Sequence, residues 1–144
     1  MSNRHFEEAA SMRRAGVSCG QCTTLPYAEE FGLDRAKLSA MTMALGGGFS
    51  RGSVCGCVSG ASLLLGLKFG QEDGPEAKQK VAAAVRALGE AVEQRFGSVD
   101  CTGILGVNAQ TPEGRAKFNE LGLRERICIP VMEFCIDFVD SREA

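Results

Sequence analysis

A single histidine, His5, occurs in the 144 residues. That scarcity excludes much chemistry. A Cys–His hydrolase needs a general base beside its thiol, and covalent haem attachment needs a Cys-x-x-Cys-His run, which does not occur. His5 sits on a polar terminal segment and is expected to be solvated rather than a ligand. No long apolar run exists either. The longest, Ala61 to Leu67, is interrupted by Ser62 and Gly66 and is far too short to span a bilayer. Met1 to Arg14 carries Arg4, Glu7, Glu8, Arg13 and Arg14 and has no apolar stretch of the signal-peptide kind. A cytoplasmic location without membrane contact is therefore expected. Lys and Arg number 16 against 18 acidic residues, a net charge of −2, and they are scattered. No basic stripe marks a nucleic-acid partner. Strand alternation is also missing, apart from Ile127 to Ile129, which is too short to trust.

What remains is an ordinary globular composition, 44% hydrophobic and 24% charged. The length suits one domain over residues 1–144. Helical patterning runs nearly throughout, so the expectation is an all-α bundle of about five to seven helices. A weak amphipathic signal covers Arg4 to Arg14, and Gln21 to Phe31 reads as a second helix stopped at Gly32. Asp34 is a good N-cap for a third, and Ser53 for a fourth running to Leu67 or Phe69. The fifth has the clearest pattern. Pro75 lies in its first turn, Val81, Val85, Leu88, Val92 and Phe96 fall on one stripe, and Gly97 closes it. Thr111-Pro112-Glu113 opens a sixth, and the last begins around Cys128 to Pro130.

Seven cysteines are the oddest feature of the chain. In a reducing compartment they point to metal binding or catalysis, and an odd number cannot all pair within one chain. Four fall at expected helix starts or apolar openings: Cys22, Cys55, Cys101 and Cys128. The unpaired N–H groups and partial positive charge of a helix start favour the thiolate, the form that binds metal or attacks disulfides. Cys19 and Cys22 also form Cys-Gly-Gln-Cys, the spacing of dithiol pairs. Cys55 and Cys57, if both helical, point to nearly opposite faces, since successive residues turn by about 100°. Cys57 is accordingly read as core, and so is Cys135, which lies seven residues, about 10.5 Å, along the helix from Cys128 and beyond disulfide reach. Gly46-Gly47-Gly48-Phe49-Ser50-Arg51-Gly52 allows either close backbone approach to an anion or cluster, or a tight turn between helices. It is not a P-loop, because no Gly-Lys-Ser/Thr follows. Gly56, Ser59 and Gly60 form a small-residue face suited to close helix packing.

Several segments together are similar to a known family. They are Cys22, Glu30-Phe31-Gly32-Leu33, Gly46-Gly47-Gly48, Cys55-Gly56-Cys57-Val58-Ser59-Gly60, and the later single cysteines Cys101 and Cys128. Over roughly Cys19 to Val139 the chain resembles the redox-active family named for its scattered cysteines and its Cys-Gly-Ala-x-x-Gly motif. Cys57 stands where that motif usually has Ala, and Cys19 and Cys135 are additions. The resemblance implies that Cys22, Cys55, Cys101 and Cys128 are the shared cysteines. A related domain of split-Soret cytochromes is associated with an iron–sulfur centre, which implies a cluster here on those four; 2Fe–2S is one option and the cluster type is left open. The expected role is electron transfer or redox sensing with a partner protein, and a homodimer is left open. Two other readings stand beside it: a metal-free thiol–disulfide oxidoreductase using Cys19 and Cys22, and a zinc-stabilised interaction module.

Overall fold

The computed structural model describes residues 3–143; Met1, Ser2 and Ala144, the outermost residues of the expected domain, lie outside it. Within it are eight α-helices: α1 (Arg4–Arg14), α2 (Cys19–Thr24), α3 (Arg35–Met43), α4 (Gly56–Phe69), α5 (Pro75–Phe96), α6 (Cys101–Leu105), α7 (Pro112–Glu120) and α8 (Ile129–Ser141). The all-helical class is as expected, with one helix more than the upper bound. The addition is α6, whose five residues are too short to show a period. None of the helices is long and apolar enough to cross a membrane.

The capping chemistry explains where most helices begin. Asp34 accepts from the backbone N–H of Lys37 at 2.9 Å and starts α3, and Thr111 accepts from Gly114 at 3.0 Å and starts α7. Pro75 stands at the first turn of α5, and Gly97 ends it in the left-handed region at φ 86°. Two starts differ from expectation. α2 begins at Cys19 instead of Gln21, because Ser18 caps it and its N–H donates back to Gln21 Oε1 at 3.3 Å. It stops at Thr24 because Pro26 has no N–H to continue the ladder, and a tight turn, Leu25–Tyr27, follows. α4 begins at Gly56 instead of near Ser53, because Ser53 to Cys55 is extended and pairs with Val99 to Cys101. Cys55 N donates to Val99 O at 2.9 Å and Cys101 N to Ser53 O at 2.6 Å.

α4 is the central element, packed against α2, α5 and α8. Leu64 and Leu65 meet Leu88 and Val92 of α5 and Met132, Ile136 and Val139 of α8 in one buried cluster. Of the expected α5 stripe, Leu88 and Val92 are fully buried, while Val81, Val85 and Phe96 are half-buried. The small-residue face of α4 does serve close packing. A Cβ on Gly56 would lie 2.9 Å from Cys19 Cβ, and one on Gly60 would lie 3.2 Å from Thr23 Cβ. Gly56 therefore lets the start of α2 approach the start of α4, which matters for the site.

Candidate thiol site

Four chain segments bring cysteines to one cavity of about 350 Å³. Cys19 comes from the first position of α2, and Cys55 and Cys57 from the start of α4. Cys101 opens α6, and Cys128 ends the wide turn Arg124–Cys128 that leads into α8. All five line the cavity, and all seven cysteines are free thiols. The backbone pairing of Ser53–Cys55 with Val99–Cys101 sets Cys55 beside Cys101, and the glycine contact at Gly56 sets Cys19 beside both.

Of the four cysteines singled out from sequence, Cys55, Cys101 and Cys128 line this cavity. Cys22 does not. It is the fourth residue of α2, fully buried, and its thiol donates to Val17 O at 3.3 Å. The shift follows from the earlier start of α2, which gives the helix-start position to Cys19. Cys57 is core as read from the sequence, but it does more. Cys55 is the non-helical cap of α4, at φ −53° and ψ 134°, so the 100° rule does not separate the pair. Cys57 is fully buried in the core, yet it also reaches the cavity. Cys135 is core alone, fully buried and away from the cavity lining.

The thiols are electrostatically unequal. Cys128 and Cys57 donate toward Cys19, and these contacts, with Arg13 beside it, outweigh burial and hold the Cys19 thiol well below its ordinary range. Cys57 likewise lowers Cys55. The donors move the opposite way. Contacts to Cys19 and Cys55, together with burial, raise Cys57 well above the usual thiol value, and contact with Cys19 and burial raise Cys128. Burial pushes Cys101 up to about 11 and Cys22 up to about 12. Cys19 and Cys55 are thus held below the ordinary thiol range, and Cys57 and Cys128 above it. Among the described residues no three or more His, Cys, Asp or Glu side chains stand in single-ion ligand geometry.

The glycine segment forms a rim of the cavity. Gly47, Gly48, Phe49 and Ser50 all lie in the left-handed region, at φ 64°, 62°, 58° and 57°. Glycine adopts this freely, but Phe49 and Ser50 each cost about 1–2 kcal/mol there. The turn is closed by Ser53 N donating to Gly48 O at 2.9 Å. Phe49 and Met43, the latter on the cavity wall, are exposed.

His5 is not solvated as expected. Its side chain is 16% exposed, its Nδ1 lies 3.0 Å from Asp140, and its Nε2 contacts Glu30. The ring stacks on Tyr27 at 3.9 Å. This cluster joins the start of α1 to the end of α8, away from the thiols.

No curated protein and no solved structure matches the chain significantly. Residues 17–141 match the family model described as "Putative redox-active protein (C_GCAxxG_C_C)". That span holds every cysteine and every wall of the thiol cavity except Arg13 and Gly16. The chain belongs to this redox-active protein family.

Proposed function

We propose that the chain is an iron–sulfur redox protein, serving electron transfer or redox sensing, with its cluster held at the thiol cavity. The observation that carries the reading is the convergence of Cys19, Cys55, Cys57, Cys101 and Cys128 on one space from four separate segments. Five soft sulfur donors distributed around about 350 Å³ suit a multi-atom group better than one ion. Cys55, Cys101 and Cys128 are the ligands carried over from the family resemblance. Cys19 replaces Cys22 as the fourth, because Cys22 Sγ is engaged with Val17 O inside the core.

When bound, such a cluster supplies one-electron exchange. The chain's own residues provide the rest. Cys19 ionises more readily than an ordinary thiol, and the backbone N–H groups of Cys57 and Val58 at the start of α4 favour negative charge on Cys55. Met43 and Phe49 at the rim suit contact with an electron-transfer partner. Anaerobic purification with iron, acid-labile sulfide and visible absorbance tests the reading. Iron and sulfide in equal amounts with visible absorbance are expected. Zinc without sulfide would instead favour the structural module.

One observation favours the metal-free reading in a modified form. Cys19 faces Cys57 and Cys128, so a dithiol reaction would pair it with one of them rather than with Cys22. Iron-free protein that forms a Cys19–Cys57 or Cys19–Cys128 disulfide on oxidation would replace the cluster by that chemistry.

A further inference from the structure

Three arginines line the thiol cavity, and two of them each keep a buried donor without an acceptor. Arg13, at the end of α1, is 8% exposed, and its Nε is buried with no hydrogen-bond partner. Its Nη1 donates to Val17 O at 3.3 Å, and the guanidinium lies against Cys19. Arg124, half-buried in the turn before Cys128, also has a buried, unpartnered Nε. Both line the cavity, and the exposed Arg115 stands on its wall as well. No Asp or Glu among the described residues lines it. The nearby carboxylate of Glu125 is taken by Arg14, at 2.7 Å.

Leaving a buried donor unsatisfied costs about 1–3 kcal/mol, and more for a charged group. Two such donors lining one cavity, with no carboxylate to answer them, suit an anion. Guanidinium forks match the paired oxygens of an oxyanion. The same cavity carries the thiols, and Arg13 lies against Cys19. An anion accepted there gains most by presenting oxygens to the arginines and a soft, electrophilic atom to sulfur.

We propose that Arg13 and Arg124 make the thiol cavity a recognition site for a small sulfur oxyanion, presented to Cys19 Sγ for sulfur transfer. The proposal rests on the reading that the cavity thiols are the reactive centre, and it concerns their cluster-free state. With thiosulfate, Cys19 Sγ attacks the outer sulfur. A Cys19 Sγ–S bond forms, the S–S bond of thiosulfate breaks, and sulfite leaves with that bond's electron pair. Charge and sulfur balance on both sides, and no external oxidant or reductant is consumed. The product is a Cys19 persulfide.

The test uses the full chain, reduced, metal-free and desalted, with thiosulfate as the probe. Intact mass should rise by one sulfur atom, peptide mapping should place it on Cys19, and an equal amount of sulfite should appear. Arg124→Gln, with its fold checked by circular dichroism, should raise the half-saturating thiosulfate concentration by about tenfold, the loss of one charge-assisted hydrogen bond. Labelling of Cys19 by a neutral methanethiosulfonate ester should not change. If Arg124→Gln does not fold, Arg124→Lys, which keeps charge but not the fork, supplies the same comparison. Absence of persulfide, sulfur on a different thiol, or equal responses to the charged and neutral probes overturns the proposal. Reconstitution of the wild type with iron and sulfide separates the two readings. Persulfide without a cluster overturns only the cluster, and a cluster without persulfide overturns only the oxyanion site.

Discussion

The antiparallel pair α1 and α8 has one closed end and one open end. At the closed end Asn3, His5, Glu30, Tyr27 and Asp140 satisfy one another. Asn3 Nδ2 donates to Asp137 at 3.0 Å and to Asp140 at 2.6 Å, and Tyr27 Oη donates to Asp140 at 2.7 Å. At the open end Arg13 and Arg124 retain unpartnered buried Nε groups, and thiols face thiols across a cavity. The two ends thus carry polar groups of opposite design. Where every donor has its acceptor the chain is fastened. Where donors are left over, the cavity lining stays unanswered by the chain itself.

The largest effect is expected between the two ends. Leu88 is fully buried where α5 meets the core shared by α4 and α8. Leu88→Ala should destabilise by about 2–5 kcal/mol in urea unfolding, with the thiol chemistry kept while the protein remains folded. A loss under about 1 kcal/mol would mean the core does not rest on this contact.

The closed end is sharpened by Tyr27→Phe, which removes one hydrogen bond to a charged acceptor and should cost about 1–2 kcal/mol at neutral pH. Burial works against the Asp140 carboxylate, but hydrogen bonds from Tyr27, Asn3 and His5 outweigh it and hold its pKa below the ordinary value. Stability from this depressed group is fully present above the unfolded carboxylate range, about pH 4, and is lost as pH falls through the lower folded value. The gap between wild type and Tyr27→Phe should therefore narrow in acid. A gap that stays constant to about pH 2, below the ordinary carboxylate range, would show that the bond does not depend on the carboxylate's charge. Cluster content should be the same in both proteins, since the two ends are separate.

Much of this arrangement was legible from side-chain type alone. Asp34, Thr111-Pro112 and the Pro75 to Gly97 segment marked helix ends because capping and backbone constraints act within a few residues. Gly56 and Gly60 announced close packing for the same local reason. The site was only partly legible. The pairing of Ser53–Cys55 with Val99–Cys101 spans two short extended pieces that have no period to detect. It nonetheless sets where α4 starts, and so lets Cys55 and Cys57 share a cavity. The start of α2 turned on Ser18 and Gln21, and a shift of two residues moved the cavity position from Cys22 to Cys19. Ser18 ahead of Gln21 was the available signal, since this spacing forms a reciprocal cap.

The central claim is that the open end holds a thiolate-ligated cluster on the cavity cysteines, with Cys19 in place of Cys22. It is tested most directly by iron and sulfide content and visible absorbance of anaerobically purified wild type, Cys19→Ser and Cys22→Ser. A cluster is expected in the wild type, with its loss in Cys19→Ser and its retention in Cys22→Ser. A cluster that survives Cys19→Ser and disappears in Cys22→Ser would contradict the cavity assignment, and iron-free wild type would contradict the cluster itself.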